Sequence, residues 1–277
     1  AIPADPGIPV LAGLAADPAI HGTVVMEFMD DAEASTQRRW HSTRYENYYE
    51  TQDLSLFRWD FAASEAYLED WLHAHLRSYA DGTRPVTALV QRLLGTDPAR
   101  TYVTLLPDRE RWLDFSSTDA RKLYYGTVRR TLGGGTDLDP QLPAPVFEAH
   151  ASDHIARITP EDDRVYLKNI QSLAAMSSAI SARGGRVIFV AMPLSGDMRR
   201  IMEHRYPRTT FWDRFAQTPG IHSFNFDDDP SMRALICPDG SHLDQSDRTR
   251  FTMALVNDLH LDNHAQHPPA PSSATGE

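Results

Sequence analysis

Between Thr159 and Gly196 the chain spells out a helix, a strand and a corner in immediate succession, which restricts the possible architectures more than any other stretch. Thr159-Pro160-Glu161-Asp162 supplies a capping hydroxyl, a ring suited to the first helical position and acids for the positive helix end, predicting a helix start there. Tyr166, Ile170, Leu173 and Ile180 then recur on one helical face, and Gly184-Gly185 ends the run. Arg186-Val187-Ile188-Phe189-Val190 follows at once, apolar without alternation, the pattern of a strand covered on both faces. It closes on Met192-Pro193-Leu194-Ser195-Gly196, and a further helix is expected from Asp197 to His204. A helix feeding a doubly covered strand calls for a parallel sheet with right-handed crossovers.

The rest of the chain extends that alternation at both ends. Ile8, Leu11, Leu14 and Ala15 have helical spacing behind Pro9, Asp17-Pro18 stops them, and Thr23 to Phe28 reads as a buried strand. Ile221 to Phe226 is a third strand, more alternating and so nearer an edge. A last helix follows Asp244, its expected cap, with Phe251, Leu255 and Leu259 on one face. The expected fold is therefore α/β with a mostly parallel sheet, in one domain over residues 1–263. Residues 31–158 interrupt the pattern and are read as a mostly helical insertion: helices Glu65 to Tyr79 and Val86 to Leu94, a short strand Tyr102 to Leu106, and open connections at Gly133-Gly134-Gly135 and Pro140 to Pro145. The tail, residues 264–277, is rich in Pro, Ser and Ala and is expected to be disordered.

Charge and composition exclude several classes of function. The chain of 277 residues has a net charge of −11 and no Lys/Arg run, which argues against a nucleic-acid partner and against anionic membrane. No stretch of about 18 apolar residues exists to span a bilayer. The single Cys237 leaves neither an internal disulfide nor a cysteine metal cluster. No cofactor is expected: Gly133-Gly134-Gly135 has no following Lys-Ser/Thr, and Asp227-Asp228-Asp229 lacks the Gly and Glu of a calcium loop and reads as a solvated turn. His260, His264 and His267 share a helical spacing but run into the Pro-rich tail, and read as surface composition rather than a metal site.

The chemistry-bearing segment is Cys237-Pro238-Asp239-Gly240-Ser241-His242-Leu243-Asp244. A carboxylate three residues before an imidazole can hold the ring in one tautomer, leaving the far nitrogen to accept a proton from a hydroxyl nucleophile. The plainer reading is a polar loop ahead of the final helix. In parallel sheets ligands gather beyond the carboxyl ends of strands. Those ends are Met29-Asp30-Asp31, Pro193-Leu194-Ser195 and the Asp239–His242 loop, expected to converge on one rim. Ser241 lies between the pair in sequence, cannot readily face both, and reads as a loop hydroxyl. Ser195 occupies a strand-to-helix corner but lacks the Gly-x-Ser-x-Gly pattern, so a helix-capping hydroxyl is preferred to a nucleophile, the rival reading being a cytoplasmic hydrolase built on it.

Leu11 to Pro18 with the strand after it, Tyr102 to Phe115, Gly184 to Gly196, Glu203 to Pro207 with Phe211-Trp212-Asp213, and Pro238 to Leu255 together resemble the SGNH-hydrolase superfamily, in particular a bacterial envelope branch whose SGNH-like domain usually follows a membrane anchor. The resemblance implies a flavodoxin-like core of three layers (α/β/α) and a serine esterase or O-acyltransferase acting on an acyl ester, with His242 as general base and Asp239 as its orienting partner. It also implies an acylated small molecule or cell-envelope glycan as partner and a periplasmic or extracytoplasmic location; a cytoplasmic one and the oligomeric state stay open. Gly7 matches the glycine that lends an oxyanion-hole N–H. The chain departs from the pattern in having no Gly-Asp-Ser motif ahead of the first helix, so the first strand and its Ser are expected upstream of Ala1. The strand exit Glu27-Phe28-Met29-Asp30 also lacks the family's Asn. The alternative is a non-catalytic SGNH-like envelope protein that binds a glycan or protein partner. For it Trp40, Tyr45, Tyr48, Tyr49, Phe57 and Trp59 would form a sugar platform, although packing of the insertion uses the same residues.

Overall fold

A computed structural model of the chain describes residues 7–34, 71, 93, 103–105 and 111–259. The expected aromatic platform, the helices over 65–79 and 86–94 apart from helical Trp71 and Leu93, the three histidines from His260 on and the tail lie outside the described residues. The described residues group into two compact units, one drawn from the ranges 1–118, 159–190 and 202–223, the other from 119–158, 191–201 and 224–277.

The first unit is mixed α/β. Helix α1 (Gly7–Ala16) leads into β1 (Thr23–Phe28) and the single turn α2 (Asp30–Ala34). A hairpin of β2 (Val103–Leu105) and β3 (Arg111–Leu113) pairs antiparallel, with Thr104 opposite Trp112. The strand expected over 102–106 is thus present, and its partner is one that the sequence pattern did not announce. In chain order α3 (Ala120–Thr131) and α4 (Ala144–Ala156) come next and belong to the second unit. Helix α5 (Arg164–Ser181), β4 (Arg186–Ala191), α6 (Gly196–Arg205), α7 (Trp212–Ala216) and β5 (Ser223–Asn225) follow.

Among the described residues the sheet is three-stranded and parallel in the order β1-β4-β5. Phe189 N–H donates to the His222 carbonyl at 2.8 Å, and Arg186 N–H to that of Gly22 at 3.0 Å. Central β4 is covered as its uninterrupted apolar run requires: Val187, Ile188, Phe189 and Val190 are all buried. Helices α1 and α2 pack on α5, whose predicted face Tyr166, Ile170, Leu173 and Ile180 is buried. Phe28 stacks on Phe215 with ring centroids 3.9 Å apart and meets Tyr166 and Phe189 edge-on. Burying rings of this size stabilises the unit by ~2 kcal/mol each before cavity effects.

One helix start differs from expectation. Residues 159–163 are not helical, and α5 begins at Arg164. Glu161 N–H donates to the Arg205 carbonyl at 2.9 Å instead of joining a first turn, and the Asp162 carboxylate accepts from Arg164 N–H at 2.9 Å. A tertiary acceptor outweighed a local capping signal. The other end is as read: Gly184 holds φ +83 and Gly185 N–H returns to the Ile180 carbonyl.

In the second unit α3, α4 and the first residues of α6 surround a core of Tyr125, Val128, Leu138, Phe147, Ala151, Ile155, Met198 and Ile201. The last part of the expected insertion is thus two helices that share a core with the start of α6. A smaller cluster joins Phe226, Met232 and Leu235 to Phe251, Ala254 and Leu255, carried by α8 (Pro230–Arg233) and α9 (Arg248–Asp258). Asp244 caps as expected, although its carboxylate accepts from Ser246 N–H in a 3-10 turn that precedes α9. The Asp227–Asp229 turn is less solvated than expected. Asp227 pairs with Arg199 at 2.7 Å, and Asp229 caps α8. Among the described residues no helix is long and apolar enough to cross a membrane.

Candidate functional site

The segment from Cys237 to Asp244 folds as an irregular loop held by its own polar side chain. Asp239 Oδ1 accepts from the N–H groups of Ser241 at 3.0 Å and His242 at 2.8 Å, so the carboxylate closes the turn that brings the imidazole back to it. Its other oxygen, Oδ2, lies 2.8 Å from His242 Nδ1. Gly240 permits the reversal: its φ is +90, and a Cβ there would stand 2.5 Å from Met198 Cγ.

A second loop braces the first. Ser195 N–H donates to the Gly240 carbonyl at 3.0 Å, and Cys237 N–H donates to Ser195 Oγ at 2.9 Å. The Cys237 thiol donates to the Pro193 carbonyl at 3.3 Å, and burial pushes it up to about 11, so it stays protonated and unreactive at neutral pH. Next to this brace, Asp197 N–H donates to Tyr124 Oη at 2.6 Å, and Gly196 adopts φ +57 where a Cβ would strike that oxygen. The loop after β4 and the Cys237–Asp244 loop, far apart in sequence, are thus zipped together by three hydrogen bonds, and the Asp197–Tyr124 bond ties the first of them to α3.

The electrostatics of the pair follow from burial and donors. Asp239 is 6% exposed, and burial alone would push its carboxyl up. The His242 ring and the N–H groups of Ser241 and His242 outweigh burial and hold it below the ordinary aspartate value. Asp239 is therefore a buried carboxylate, and the Nδ1 proton is held toward it. That tautomer puts the ring's lone pair on Nε2, while the His242 side chain remains 59% exposed. A neutral imidazole so oriented can take a proton from a hydroxyl, and the carboxylate stabilises the imidazolium that results.

The remaining predicted residues are placed as follows. Ser241 Oγ lies 3.4 Å from Asp239 Oδ1 and 3.1 Å from His242 Nδ1, so it does face both members of the pair, contrary to expectation. It sits on the Asp239 side of the ring, which suits a turn hydroxyl and not a donor to Nε2. Ser195 Oγ accepts from the Cys237 N–H and so ties two loops just ahead of α6. Gly7 opens α1 in the first unit and lies against the end of the Met26 side chain, where a Cβ would stand 2.1 Å from Met26 Cε.

Sequence reasoning passed over two features. One is the Ser195–Cys237 brace itself, whose one signal was the expected approach of the Ser195 corner to the Asp239–His242 loop. The other is the acidic turn α2, where Glu33 is 1% exposed and Asp30 Oδ1 accepts from Tyr166 Oη at 3.0 Å. Among the described residues no group of three or more His, Cys, Asp and Glu side chains is arranged to hold a metal. Compared with known proteins, the chain matches no family model, no curated protein and no solved structure.

Proposed function

We propose that the protein is an SGNH-type serine esterase or O-acyltransferase with a three-layer α/β/α core, in which His242 is the general base and Asp239 orients it. The observation that carries this reading is the 2.8 Å contact between a buried Asp239 carboxylate, already satisfied by two main-chain N–H groups, and His242 Nδ1. A loop carrying polar residues only for solubility has no need of that preorganisation, which removes the reorganisation cost at the moment of proton transfer. The general base would take the hydroxyl proton of a serine as it attacks the acyl carbon. It would return the proton to the departing alkoxide, and water or a second hydroxyl would then release the acyl group. Ser195 and Ser241 have other duties in the loop, so the attacking serine is expected elsewhere in the polypeptide. An acyl ester on an extracytoplasmic glycan is the substrate class this reading implies, by analogy with the family that the sequence resembles.

The test is hydrolysis of a short-chain nitrophenyl ester by the full-length protein, together with fluorophosphonate labelling and mapping of the labelled serine. Wild type is expected to hydrolyse the ester and to label at a serine other than Ser195 and Ser241. His242→Ala is expected to lower both rates. Equal hydrolysis by wild type and His242→Ala would remove the catalytic assignment.

A further inference from the structure

The acids at the carboxyl end of β1 take no part in the Asp239–His242 reading. Helix α2 carries Asp30, Asp31 and Glu33 in one short turn, and it lies on α5. Glu33 is 1% exposed, and its Oε2 is buried without a hydrogen-bond partner. Two contacts dock the turn: Tyr166 Oη donates to Asp30 Oδ1 at 3.0 Å, and Asn169 Nδ2 donates to the Glu33 main-chain carbonyl at 2.8 Å. Neither serves the Glu33 carboxyl. The groups acting on it are Asp30 and Asp31, both of the same sign. Beyond them Tyr206 senses Asp30 and Asp31 and is flanked by Glu161 and Arg205; Arg214 acts on Tyr166 and is itself paired with Asp163.

An ionised carboxylate at Glu33 would combine loss of water, an oxygen without a donor and two like charges close by. A carboxylic acid removes the charge at the cost of one retained proton. We propose that α2 docks on α5 with Glu33 as the neutral acid and Asp30 sharing that protonation, so that the contact is a proton-dependent latch that loosens in alkaline medium. Burial, with Asp30 and Asp31 adding to it, pushes Glu33 up to about 8. Burial also pushes Asp30 up to about 7, the Tyr166 hydrogen bond opposing and Asp31 adding. An acid whose value is raised on folding contributes a stability that declines as pH climbs from the unfolded value to the folded one. The latch therefore weakens from about pH 4.5 up to about 8 and changes little beyond.

Hydrogen exchange read by mass spectrometry on the full chain tests this. After correction for the intrinsic rate, opening of peptides covering α2 and α5 is expected to rise by up to ~10-fold per pH unit for each proton released, between about pH 5.5 and 8. Peptides covering α3 in the second unit are expected to stay level. Glu33→Gln and Asp30→Asn are each expected to flatten the rise in α2 and α5. A flat wild-type profile, a rise that α3 shares equally, or a slope kept by both variants would overturn the proposal. Should Glu33→Gln fail to fold, the wild-type profile and Asp30→Asn still decide it.

Discussion

Asp239 and Glu33 are both acids buried to a few per cent exposure, and the structure sends them in opposite directions. Asp239 closes its own turn, so two main-chain N–H groups and an imidazole face its oxygens, and its carboxyl is held below the ordinary value. Glu33 presents Oε2 to a region holding two more acids and no donor of its own, and its carboxyl rises to about 8. Burial disfavours the charge in both cases. What differs is the supply of donors, so depth alone says nothing about the charge of a buried acid. The pH responses are opposite as well. The stability that Asp239 contributes is present above its unfolded value near 3.8 and is lost as pH falls through its lowered folded value, whereas that of Glu33 is lost as pH rises toward 8.

That contrast can be broken at its strongest point first. Asp239→Asn keeps the size but offers the ring an amide in place of a carboxylate, and kcat/KM for ester hydrolysis is expected to fall by ~10³–10⁴-fold with the far-ultraviolet spectrum unchanged. Unaltered kcat/KM would leave Asp239 as a turn-former only. At the other acid, Glu33→Met is expected to raise the urea-unfolding free energy by ~2 kcal/mol at pH 8 and by much less at pH 5. A loss at both values would mean that Glu33 has a partner strong enough to keep it charged. Gly240→Ala tests whether the loop needs its unusual backbone. Strain at φ +90 and the contact with Met198 are expected to cost ~1–2 kcal/mol, equally at both pH values. The smallest effect is expected from Ser195→Ala, which leaves the Cys237 N–H without its acceptor and should cost ~1 kcal/mol in the same titration.

Much of the frame was legible because it is local. The buried face of α5, the glycine stop at Gly184 and the doubly covered run of β4 each depend on residues a few positions apart, where periodicity and backbone preference act directly. The Asp239–His242 contact was legible for the same reason: three residues of chain leave few ways to separate them once the turn closes. Ser241 was misjudged because both partners lie on one side of that turn, a matter of side-chain direction that spacing does not convey.

What spacing left open depends on partners distant in the chain. The start of α5 moved to Arg164 because the Arg205 carbonyl took the Glu161 N–H, and Ser195 became a brace because Cys237 arrived opposite it. The same holds for charge. Nothing in Asp30-Asp31-Ala32-Glu33 tells a solvated acidic turn from a dry one, since the water is displaced by residues such as Tyr166 and Asn169 that lie more than a hundred positions later. Desolvation is a sum over whatever the fold brings near, and only the assembled structure contains that sum.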